Sequence, residues 1–171
     1  PVINSNYIII MVCLDILSEI INEHYFDQLR TKEQLGYIVH ASERSYGNSS
    51  EYKYTTFDFW VQSSHKSSSF LRDRTIQFVR DFRNILESID EKYLNDHINK
   101  MILGLEKPFQ NLESEFGYND HMIQAYNSNF NLKKDKIQCM KNVTKNMLLS
   151  FYDYYFNLSM GTFWSMLLEK I

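Results

Sequence analysis

Proline and glycine are scarce here, two and five among 171 residues. That scarcity excludes a collagen-like repeat, a glycine-rich linker and a proline-rich recognition tract, and it leaves no low-complexity break at which to divide the chain. Two cysteines, Cys13 and Cys139, are too few for a disulfide framework or a zinc knuckle, and their apolar neighbours mark both as buried thiols. A reducing, cytoplasmic setting fits them. The Asn-X-Ser/Thr triplets at Asn48, Asn142 and Asn157 are what chance supplies in a chain this rich in Asn and Ser.

An excess of charge of one sign is also missing. Eighteen Lys and Arg face 21 Asp and Glu, a net charge of −3, so no polybasic field exists to hold nucleic acid or an anionic membrane. The longest apolar run, Tyr7 to Leu14, stops at Asp15, far short of the ~20 residues of a bilayer crossing. Pro1 stands where an initiator Met would, with no signal-peptide pattern behind it, and the chain reads as a piece of something longer.

What is present is core material: 44% hydrophobic and 15% aromatic residues, enough to fold one domain without staples. Ile10, Cys13, Leu14, Leu17, Ile20, Ile21, Tyr25 and Leu29 recur at three and four, predicting a long helix over Asn6–Leu29. Its first half, Ile8–Leu14, is apolar on every side and is expected to be buried all round. After Gly36 the pattern turns extended. Tyr37–Tyr46 and Glu51–Ser64, around the turn residues Gly47–Ser50, predict an antiparallel hairpin with Phe57, Phe59 and Val61 on one face. Trp60 lies on the other parity, which requires either two partly covered faces or a bulge.

Helical spacing returns behind Ser67, through Leu71 to Ile89, and again behind Asp90, through Leu94 to Leu105, before Lys107 and Pro108 close it. Further helices are expected over Leu112–Asn127 and Thr144–Phe156, a short one over Asp135–Met140, and a last strand over Thr162–Ile171. Strands first and helices after them imply an α+β fold, an antiparallel-dominated sheet backed by helices. Residues 1–171 read as a single domain.

The sequence carries no complete catalytic motif. His24, His40, His65, His97 and His121 never fall one helical turn apart, and His-Glu-X-X-His, His-X-X-Glu-His and Cys-X-X-Cys are all absent, so no metal ligands are assigned. Glycine-rich phosphate loops and a Gly-X-Ser-X-Gly elbow are absent too. Chemistry can gather where the long helix ends, turns polar and passes through Gly36 into a strand. Arg30 and Tyr37 place a guanidinium and a phenol at that junction, donors suited to a carbonyl or a developing oxyanion. The plainer alternative is that Arg30 and Glu33 decorate a helix end and Tyr37 packs in the sheet.

The run Leu29-Arg30-Thr31-Lys32-Glu33-Gln34-Leu35-Gly36-Tyr37 resembles the signature of the insulysin (insulin-degrading enzyme) and pitrilysin family of zinc metallopeptidases. Looser likeness extends to the preceding helix, the hairpin, Glu106-Lys107-Pro108 and Thr144–Tyr155. The resemblance implies the last of four domains, with an insulysin-like (LuxS/metallopeptidase-like) fold. It further implies that Arg30 and Tyr37 contact substrate backbone and help stabilise the tetrahedral intermediate, and that Phe26 lines a substrate pocket, with core packing as the alternative for Phe26. Zinc in the full-length enzyme would be held by another domain, and none by this one. The implied partners are peptide substrates and the N-terminal catalytic half of the same chain.

The expected function is therefore the non-zinc-binding C-terminal domain of a cytoplasmic zinc metalloendopeptidase, closing a chamber over the peptide and inactive as an isolated fragment. The alternatives are a non-catalytic peptide-binding or scaffold module from a pseudo-peptidase half, and a free-standing α+β interaction domain.

Overall fold

The computed structural model describes residues 5–46, 54–126 and 128–156. The hairpin turn at Gly47–Ser50 and the expected strand at Thr162–Ile171 lie outside them.

Helix α1, Ser5–Phe26, is the axis of the fold and packs against β1 (Ile38–Tyr46), α3 (Glu91–Glu106), α5 (Leu132–Met140) and α6 (Lys145–Tyr155). The fully buried residues are those of its middle and end: Val12, Ile16, Leu17, Ile20 and Tyr25 have no exposed surface. The expectation for the first half is corrected. Val12 and Cys13 of that stretch are buried, but Ile9 is exposed and Ile8, Ile10, Met11 and Leu14 are half-buried, because no element among the described residues covers that end on all sides.

Strand β1 pairs antiparallel with β2 (Tyr54–Gln62) in an unbroken register from Ile38↔Gln62 to Tyr46↔Tyr54. There is no bulge. Val39 and Ala41 with Phe57, Phe59 and Val61 face the helices, while Trp60 stands half-exposed on the outer face under the Arg44 guanidinium, 5.9 Å from its ring.

The helices start where cap residues start them. Ser67 accepts from the Phe70 N–H ahead of α2 (Ser68–Ser88), Asp90 from the Tyr93 N–H ahead of α3, and Thr144 from the Met147 N–H ahead of α6. Asn111 and Ser114 cap α4 (Leu112–Ala125) reciprocally. Helix α5 begins at Leu132, a turn before the sequence suggests, and α4 ends two residues early.

Aromatic rings join the layers. Tyr25 of α1 meets Phe78 of α2 at 5.0 Å edge-on, Phe78 meets Phe82, and Phe82 meets Tyr152 of α6 at 5.6 Å. Two of the deeply buried rings also have their hydroxyls paired, Tyr25 with Thr75 Oγ1 at 2.9 Å and Tyr152 donating to the Val79 carbonyl at 2.6 Å. Burial pushes the Cys13 thiol up to about 11, so it is protonated and inert.

Candidate functional site

The long helix does not run to Leu29 as α-helix. After Phe26 it widens into a π-helical turn over Asp27–Lys32, closed by Glu33 N–H to the Gln28 carbonyl at 3.0 Å. Such turns are uncommon and concentrate at functional sites. Gln34 then takes a left-handed φ of 50°, the position a helix end normally gives to Gly or Asn, and the Leu35 N–H reaches back to the Leu29 carbonyl at 2.9 Å.

Burial fixes both ends of this turn, with Leu29 fully buried and Leu35 nearly so. Glu33 anchors it sideways: its carboxylate accepts from Arg74 Nε of α2 at 2.8 Å, from Arg74 Nη2, and from Gln28 Nε2 at 2.6 Å. Glu33 therefore does not merely decorate the helix end. Sequence reasoning missed this pairing because Arg74 lies 41 residues away and nothing in the spacing joins them.

The structure brings the three sequence-selected residues together. Arg30 Nη1 donates to the carbonyl of Tyr37 and, at 3.4 Å, to that of Gly36, while its guanidinium carbon lies 5.6 Å from the centre of the Phe26 ring. Phe26 is 43% exposed and Tyr37 55%, so neither belongs to the core. The alternative of core packing for Phe26 falls, as does that of Tyr37 packing in the sheet. Arg30 Nε and Nη2 and the Tyr37 hydroxyl have no hydrogen-bond partner among the described residues. The junction thus offers an apolar ring, a held guanidinium with donors to spare and a free phenol.

That pairing makes a stability prediction. Arg74 hydrogen bonding holds the Glu33 carboxyl below its usual range, so its contribution is present above the unfolded-state value near 4.5 and is lost as pH falls through the lower folded-state value. Glu33→Gln should cost about 1–3 kcal/mol near neutrality. Denaturant midpoints should show the gap between the two proteins closing in acid; a gap independent of pH would refute the assignment.

No group of three or more His, Cys, Asp or Glu among the described residues could hold a metal ion. The donor set here is one of hydrogen-bond donors and not of metal ligands. A separate groove of about 930 Å³ lies between α1, β1 and α3, bordered by Asp15, Asn22, His40, Glu43, Lys100 and Lys107; Phe26, Arg30 and Tyr37 do not line it.

Residues 16–118 match the family model of the PQQ synthase PqqF-like C-terminal lobe, domain 4. The chain belongs to the insulinase family of peptidases, as a C-terminal-lobe domain. A nardilysin-like protein of Arabidopsis thaliana is 34% identical over 84% of this chain and 14% of its own length. The insulin-degrading enzyme of Homo sapiens is 29% identical over 81% of this chain and 13% of its own. The crystal structure of pitrilysin superposes with a TM-score of 0.72 at 25% identity, covering 83% of this chain and 15% of that one. This insulinase-family domain thus spans about a seventh of the length of these relatives. Its six helices and antiparallel hairpin, counted among the described residues, are the expected α+β fold. No described helix is long and apolar enough to cross a membrane.

Proposed function

We propose that residues 1–171 form the last, non-zinc-binding domain of a cytoplasmic zinc metalloendopeptidase, closing the chamber in which the N-terminal half of the same polypeptide hydrolyses peptides. The observation that carries this reading is the meeting of Phe26, Arg30 and Tyr37 at one rigid junction. The zinc ion would be bound by another domain.

Within this chain the division of work is simple. Phe26 offers an apolar surface to a substrate side chain. Arg30, held on the Gly36 and Tyr37 carbonyls by one nitrogen, keeps others to donate to a substrate carbonyl. Tyr37 donates its hydroxyl proton into a hydrogen bond with the oxyanion that develops as that carbonyl becomes tetrahedral, an interaction strongest in the transition state. Because the π turn, Leu29 and the Glu33–Arg74 pair fix the junction, these donors are oriented before substrate arrives.

A quenched fluorescent peptide distinguishes this from a binding-only module. The complete polypeptide is expected to cleave the peptide, lose activity on chelation and regain it with zinc, whereas residues 1–171 alone leave it intact. Peptide binding by the complete polypeptide without turnover would establish the scaffold reading instead.

A further inference from the structure

Helix α4 is well capped but poorly covered. Of its 14 residues only Met122 is buried, and an isolated helix of that length is marginal in water, so α4 needs packing from elsewhere. Leu112, Phe116 and Ile123 are 81%, 69% and 56% exposed. At about 100° per residue these three fall within about 40° of arc, a single apolar stripe along the outer face. Carboxylates border it on both sides, Glu113 and Asp120 along one flank and Glu115 along the other. The helix carries no Lys or Arg, and none of the three carboxylates has an ion-pair partner among the described residues.

We propose that this stripe is a docking surface for an apolar groove with Lys and Arg on its rims, carried by an adjoining domain of the same polypeptide. The charge pattern selects the partner: a second copy would set carboxylates against carboxylates on both flanks, whereas a basic-rimmed groove neutralises both. The relatives leave room for such a domain, since this chain spans only 13–15% of their length. The inference shares with the proposed function the premise of a longer polypeptide, and nothing else.

The test places a cysteine at Phe116 (Phe116→Cys) or on the opposite, exposed side of α4 (His121→Cys) in the complete polypeptide. Maleimide labelling without substrate is read by mass spectrometry on the α4 peptide. Labelling at 116 is expected to be at least about tenfold slower than at 121, and equally so on dilution, because the adjoining domain covers it permanently. Equal rates would overturn the proposal, and so would protection that disappears on dilution, which identifies a second copy. Adding Glu113→Lys with Asp120→Lys should raise the rate at 116 severalfold, and an unchanged rate would overturn the basic rim. Tyr37→Phe should leave all these rates unaltered, so a failed docking surface and a failed peptidase role are read separately.

Discussion

Replacing Tyr37 by Phe in the complete polypeptide is expected to lower kcat for peptide hydrolysis about 100- to 1000-fold, about 2.7 to 4 kcal/mol, while KM barely changes. The substitution removes one hydroxyl and keeps the ring. Because Tyr37 is 55% exposed and its hydroxyl bonds to nothing among the described residues, its loss leaves no buried group unpaired and creates no cavity. The contacts that hold the junction are made by the Tyr37 backbone: its carbonyl accepts from Arg30, and its N–H donates to the Gln62 carbonyl at 3.0 Å. Phe preserves both. The thermal midpoint should therefore stay constant while kcat falls, a combination that a purely structural tyrosine does not produce. Were the hydrogen bond made to the ground-state carbonyl as well, its loss would raise KM, so the split between the two constants reports where along the reaction the phenol acts. A kcat within twofold of the parent would sink the assignment of Tyr37.

Much of this junction was legible in the sequence, and the reasons differ by residue. Ser67, Asp90 and Thr144 announce helix starts because capping is local chemistry, satisfied within three residues. The hairpin's buried face was legible because side chains alternate with period two, and the unbroken register settles what Trp60 does. Arg30 and Tyr37 stood out as residue types at a helix-to-strand transition, Phe26 only through the family resemblance, one helical turn before Arg30. The π turn did not, since Asp27–Lys32 has a composition any α-helix accepts and the widening shows only in which carbonyl each N–H reaches. The Glu33–Arg74 pair was hidden for the opposite reason, being a contact between distant segments. The expected burial of Ile8–Leu14 failed because hydrophobicity states what a segment can bury and not what is there to cover it. Of the nine signature residues, Leu29, Glu33, Leu35 and Gly36 build the turn that presents Arg30 and Tyr37.

Gly36→Ala should be the most damaging single-methyl change at this junction. A Cβ on Gly36 would lie 2.2 Å from the Gln62 carbonyl oxygen, 2.9 Å from its carbon and 3.3 Å from Val61 Cγ1. The obstacle is backbone, so no rotamer relieves it. Moving it means pulling the end of β2 away from β1, at the carbonyl that accepts from the Tyr37 N–H and beside the pair Ile38↔Gln62 that opens the ladder. Overpacking of this kind costs about 1–3 kcal/mol or more. The displacement also moves the Gly36 and Tyr37 carbonyls that position Arg30, so hydrolysis should fall with stability. Two other glycines supply the control, because Gly104 in α3 and Gly117 in α4 have nothing within 4 Å of an added Cβ. Alanine there should stabilise by about 0.5–1 kcal/mol through the lower entropy of the unfolded chain. Denaturant midpoints should thus move in opposite directions for chemically identical substitutions. Were Gly36→Ala to move with Gly104→Ala, the close approach of β2 to the signature turn would be wrong, and the turn would not hold Arg30 and Tyr37 as assigned.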